Sequence, residues 1–163
     1  MGRKMSNNEQ LRQLLTDCSA STKVTSKVLF PDRFTRPFSS IHDLIFKVLD
    51  DPKIRRVVIA ASRGIGKTSI ASFAYPAKRI LFDQSKFIMM VGAASDMAIR
   101  QTENLKQELR DSSLINQIFG PVKRKTSIDW AKEQWITDNG TMVLPRGAGQ
   151  KVRGLLHRGK RPD

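Results

Sequence analysis

The chain has 163 residues, 39% of them hydrophobic and 27% charged, which is enough for a folded core and excludes a chain disordered by composition. No apolar run approaches the length of a membrane span, the start MGRKMSNNEQ lacks a signal-peptide core, and one cysteine (Cys18) with two distant histidines (His42, His157) excludes an internal disulfide and argues against a structural zinc site. Lys and Arg number 29 against 15 Asp and Glu, a net charge of +14, so either a polyanionic partner or the basic part of a more balanced protein is expected.

From Asn7 to Ala20, Leu11, Leu14, Leu15 and Cys18 recur at helical spacing and predict a short amphipathic helix. Residues 21–37, polar and holding two prolines, read as an arm or linker. A second helix is predicted from Ser40, with Asp43 three residues on as a capping box. Its apolar stripe is Phe38, Ile41, Leu44, Ile45, Val48 and Leu49, and Asp50, Asp51 and Pro52 stop it.

The run Val57, Val58, Ile59, Ala60 reads as a buried strand, and it leads into ASRGIGKT at Ala61–Thr68. That pattern predicts a phosphate-binding loop of the Walker A kind. Small residues let successive backbone N–H groups turn toward an anion, and the helix that follows aims its positive dipole end there. Lys67 is the expected ligand of the β- and γ-phosphates and Thr68 of Mg²⁺. Ala61 stands where the strict pattern has glycine, while Gly64 and Gly66 keep the loop's freedom. A helix follows, with Ile70, Ala71, Ala74, Ala77 and Leu81 on one face and a kink expected at Pro76.

Lys86–Ser95 (KFIMMVGAAS) predicts a second buried strand, giving an α/β alternation. Residues 96–110 predict a helix capped by Ser95, with Asp96 in its first turn and Met97, Ala98, Leu105 and Leu109 as apolar contacts. Gly120-Pro121 breaks the chain before the basic cluster Lys123, Arg124, Lys125. Residues 134–137 and 141–144 flank Asp138-Asn139-Gly140, a hairpin signal. The last eighteen residues hold six Lys or Arg, one Asp and four glycines, and read either as a flexible solvated terminus or as a loop that touches phosphates or a neighbouring subunit.

A hydrolase of this type needs a carboxylate at the end of a second buried strand to hold Mg²⁺. The run Phe87–Val91 leads instead into Gly92, Ala93, Ala94 and Ser95, and the sequence ends at Arg161-Pro162-Asp163 with no such acid in view.

Over roughly residues 34–163 the chain resembles the large terminase subunit of tailed phages, the DNA-packaging motor ATPase. The segments that carry this are RFTRPFSSIHDLIFKVLDD, RRVVIAASRGIGKTSIAS, FIMMVGAASDMAIRQ and NGTMVLPRGAGQKVRGLLHRGKRPD. The resemblance implies an α/β P-loop NTPase fold of the ASCE, RecA-like type with a parallel-sheet core, incomplete on its C-terminal side. Residues 1–36 would be an N-terminal helix and arm, and 37–163 a partial ATPase domain ending just before the Walker B strand. It implies nucleotide contacts from Ala61, Ser62, Arg63, Gly64, Ile65, Gly66, Lys67, Thr68 and Ser69, with ATP and Mg²⁺ as cofactors. Lys67, Arg63 and Arg153 would be the catalytic set, Arg63 at the γ-phosphate and Arg153 reaching a neighbour's nucleotide, with Arg158 as its rival. Ser39 to His42 would lie near the adenine, although on its own context His42 reads as a solvated first-turn residue.

The intact protein would hydrolyse ATP to drive double-stranded viral DNA into a procapsid and would cleave it with a C-terminal nuclease absent here. Its implied partners are the portal protein, the small terminase subunit and copies of itself in a ring. Its implied place is the host cytoplasm, transiently docked on the procapsid, away from any membrane and outside the finished virion. Without the acidic pair and the strands that follow it, the loop strand would be unpaired and the chain is expected to fold poorly alone. Two alternatives stay open: a short basic protein that binds nucleic acid or a motor ring without hydrolysis, and a fragment of a helicase-like translocase.

Overall fold

A computed structural model of the chain describes residues 6–123 and 130–162. The chain is mixed α/β and divides into two compact units, Met1–Lys78 and Arg79–Asp163.

The first unit opens with α1 (Asn7–Ala20), at the predicted bounds. Its start is fixed by Ser6 and Glu9, whose side chains bond each other's backbone N–H groups, and the bond from the Ser6 N–H holds the Glu9 carboxyl below the usual range. Cys18 is buried, whereas Leu11 and Leu14 remain on the surface.

Residues 22–29, expected within a linker, form α2 (Thr22–Leu29) instead. The buried positions Thr22, Thr25, Ser26 and Leu29 follow the i, i+3, i+4, i+7 rule of a helix face, but three carry hydroxyls, which hid the stripe. Each hydroxyl has a partner: Thr22 Oγ1 donates to Asp50 Oδ1 (2.5 Å), Thr25 Oγ1 to the Cys18 carbonyl (2.6 Å) and Ser26 Oγ to the Thr22 carbonyl (2.7 Å). Burying them therefore leaves no orphaned polar group at these three positions.

The helix expected from Ser40 is α3 (Ser40–Asp50). Its capping pair lies one residue earlier than expected, Ser39 with His42 rather than Ser40 with Asp43. The buried face is also rotated: Ile45 and Phe46 are buried while Ile41 and Leu44 are exposed. Phe46, outside the expected stripe, packs edge-on with Phe38 at 4.8 Å. Asp50 joins three helices, because it accepts from Thr22 and from Lys78 Nζ at 2.6 Å.

Residues 57–60, expected as a buried strand, carry no regular secondary structure, and Val58 is 94% exposed. An apolar run becomes a strand only when another strand satisfies its backbone, and among the described residues none pairs with it. After the loop come α4 (Lys67–Ser69), a π-turn at Ile70–Ala74 and α5 (Tyr75–Leu81). The kink expected at Pro76 takes the form of that π-turn: the Tyr75 N–H reaches back to the Ile70 carbonyl just before the proline, which has no N–H to give.

The second unit holds a three-stranded mixed sheet in the order β1-β3-β2. Its strands are β1 (Phe87–Gly92), β2 (Trp135–Ile136) and β3 (Met142–Gly147). The predicted strand and hairpin are both present, with Trp135 opposite Val143 in the antiparallel pair. β3 also pairs in parallel with β1, from Phe87↔Met142 to Gly92↔Gly147, so the small sheet is mixed, a parallel pair joined to the antiparallel hairpin, where a parallel-sheet core was expected.

Helix α6 (Ser95–Asp111) covers β1 and β3 with Ala98, Leu105 and Leu109, while Met97 stays exposed. Ala94 rather than Ser95 caps it. A Cβ at Gly147 would lie 2.6 Å from the Ser95 nitrogen, so glycine is what lets β3 end against the start of this helix. A short α7 (Ser113–Phe119) follows, ended by Gly120 at φ 76°. Arg124, Lys125 and Asp163 lie outside the described residues.

Candidate functional site

The loop ahead of α4 turns on two glycines, Gly64 at φ 88° and Gly66 at φ 76°, both in the region that residues with a Cβ rarely adopt. No atom lies within 4 Å of where a Cβ would sit on either, so backbone conformation and not crowding requires glycine here. Gly66 is left-handed (ψ 19°) and Lys67 starts the helix, the kind of left-then-right alternation that can turn successive N–H groups to one side. The Gly66 carbonyl already accepts from the Ile70 N–H at 3.0 Å.

Lys67 is half-buried, and its Nζ donates to the carbonyls of Ala61 (2.5 Å) and Ser62 (2.6 Å) at the loop's start. The lysine therefore bridges the two ends of the loop with its ammonium already stripped of part of its water. Arg63 and Thr68 are exposed, and Ser69 is half-buried in α4.

His42 lies in the first turn of α3, as expected, but is half-buried and contacts this loop. Its Nδ1 accepts from the Ser39 N–H at 2.9 Å, and its Nε2 lies 2.8 Å from the Ile65 carbonyl. Sequence reading missed it because the contact spans 23 residues and no local pattern marks it.

The resemblance implies a nucleotide with Mg²⁺ here, and the groups that would meet its phosphates are an open glycine turn, the Lys67 ammonium on the loop's first carbonyls and an exposed threonine at the next position. Among the described residues no group of three or more His, Cys, Asp or Glu could hold a metal, so Thr68 is the one protein ligand the sequence reading offers.

Arg153 lies in the second unit, exposed in a turn at residues 153–154. Parts of the basic tail are held. Leu155 packs on the core formed by Phe87, Ile136, Met142 and Leu144. His157 Nε2 lies 3.0 Å from the Gly140 carbonyl, and His157 and Lys160 exchange two backbone bonds of 2.9 Å across a turn with Arg158 at φ 48°. That turn holds the Arg158 guanidinium against Gly140, where a Cβ would be only 2.3 Å from Nη1. Both arginines considered for a neighbour's nucleotide, Arg153 and Arg158, are exposed.

No family model, curated protein or solved structure matches this chain.

Proposed function

We propose that residues 61–69 bind the phosphates of ATP, and that the chain is the ATP-binding part of a P-loop motor of the terminase large-subunit type. The observation that carries this is the Lys67 ammonium seated on the Ala61 and Ser62 carbonyls across a turn of two left-handed glycines. In this reading the N–H groups at the start of α4 meet the phosphate oxygens, and the Lys67 ammonium exchanges its carbonyl partners for the β- and γ-oxygens. The Arg63 guanidinium, exposed on the same turn, adds charge toward the γ-phosphate, and the Thr68 hydroxyl faces Mg²⁺. Bound Mg²⁺ would neutralise phosphate charge as the terminal group is transferred. Packaging of viral DNA, the portal and ring contacts and the trans-acting arginine, Arg153 or Arg158, belong to the intact motor in this reading.

The test is a titration of the chain with a fluorescent ATP analogue against competing ATP, ADP and AMP. A phosphate-reading loop gives competition that weakens sharply as phosphates are removed. Equal competition by all three would mean that the base alone is recognised, and the proposal would fail.

The exposed Lys151, Arg153, Arg158, Lys160 and Arg161 support a second reading, binding of nucleic acid without hydrolysis. Its mark would be affinity for double-stranded DNA that falls steeply with salt and is indifferent to Lys67→Ala.

A further inference from the structure

We propose that His42 is a positioning residue for the phosphate loop, holding the Ile65 carbonyl on the side away from the anion; the inference rests on the nucleotide-binding reading above. The two ring contacts define one protonation state. The Ser39 N–H can only donate, so Nδ1 must accept, and a neutral ring then carries its proton on Nε2. The Ile65 carbonyl can only accept, so it requires that same Nε2 proton, at 2.8 Å. Ser39 Oγ, also 2.9 Å from Nδ1, adds a hydroxyl that can donate to it.

The ring has a firm footing. It lies 5.7 Å from Phe38, which packs edge-on against Phe46, a buried residue of the same helix as His42. The neighbouring Asp43 is engaged with Lys23 at 2.7 Å.

The loop needs such a strut. Glycine adopts either sign of φ at little steric cost, and nothing lies within 4 Å of where a Cβ would sit on Gly64 or Gly66, so a flip of the peptide between Ile65 and Gly66 meets no side-chain barrier at Gly66 itself. A flip would replace a donating N–H by a carbonyl oxygen facing phosphate oxygens. One neutral hydrogen bond biases such an equilibrium roughly three- to tenfold. The His42 bond to Ile65 therefore preorganises the hollow while making no contact with the ligand itself.

The experiment uses the whole 163-residue chain, a fluorescent ATP analogue with Mg²⁺, and the variants His42→Ala, His42→Gln and Lys67→Ala. Imidazole ¹⁵N shifts of the unliganded wild type should report the Nε2–H form of His42. His42→Ala should weaken binding roughly three- to tenfold, and His42→Gln, whose amide N–H can replace the Nε2 donor, should recover most of that loss. Thermal melts identify any variant that has simply failed to fold, and the ¹⁵N spectrum tests the tautomer without any variant. If His42→Ala binds as tightly as wild type while Lys67→Ala does not bind, the strut is refuted and the nucleotide reading survives. Equal losses in Ala and Gln variants, or the Nδ1–H form in the spectrum, would also overturn it. No saturable binding by wild type would remove the nucleotide reading and this inference together.

Discussion

The Lys67 ammonium donates to the Ala61 carbonyl across the loop at 2.5 Å, with the Ser62 carbonyl as its second acceptor at 2.6 Å. Both acceptors lie in a partly exposed turn, so water can replace the lysine when it is removed. Lys67→Ala is accordingly expected to change folding stability by less than about 1 kcal/mol. Chemical denaturation of both proteins checks this. A loss of several kcal/mol would show that the lysine is a structural clamp and not a ligand in waiting.

Asp50 is the polar centre of the first unit. It accepts from the Thr22 N–H (2.7 Å), Thr22 Oγ1 (2.5 Å) and Lys78 Nζ (2.6 Å), and Lys78 is buried. Asp50→Ala leaves that ammonium and the Thr22 groups without their acceptor, at an expected cost of about 3–5 kcal/mol. Replacing both ionic partners together, Asp50→Leu with Lys78→Met, should cost less than the single change, since no lone charge remains buried. Urea melts of the single and double variants decide the point.

Burial pushes the Cys18 thiol up to about 11, with Asp17 contributing. An acid whose folded value is raised binds its proton more tightly in the folded state. Its stabilising effect is therefore complete below the unfolded value, near 9, and fades as pH rises toward 11. The part of stability due to Cys18 should fall by on the order of 2 kcal/mol across that window. Comparing denaturation midpoints of wild type and Cys18→Ala at pH 8.5 and 11 isolates it. Native protein at neutral pH should also react with a thiol reagent only as fast as it unfolds.

Among the described residues Val58 is the most exposed of the large apolar side chains, and the run around it pairs with no strand. Val58→Lys should therefore leave stability within about 0.5 kcal/mol of wild type. A drop of more than about 2 kcal/mol would mean the side chain is buried in solution, as in a strand with neighbours.

How far the sequence disclosed this arrangement depends on how local each signal was. Asn7–Ala20, Phe87–Gly92 and the turn at Asn139-Gly140 were legible because their spacing, apolar run or turn chemistry lies within a few residues. The α2 helix was not, because hydroxyls at Thr22, Thr25 and Ser26 read as polar linker until Asp50 and the backbone supplied acceptors. Pattern also could not show that Met142–Gly147 pairs with β1, since periodicity names faces and not neighbours. At the site the glycines and Lys67 were evident, while His42 was hidden by its distance in sequence from Ile65. The run at residues 57–60 shows the opposite error, an apolar composition that promised burial it does not have.

The most direct test of the central claim is equilibrium binding of a fluorescent ATP analogue to the purified chain, with and without Mg²⁺, for wild type and Lys67→Ala. Saturable binding by wild type, strengthened by Mg²⁺ and weakened at least tenfold by the substitution, is the predicted result. Binding unchanged by Lys67→Ala, or no binding by a wild type that is demonstrably folded, would contradict it.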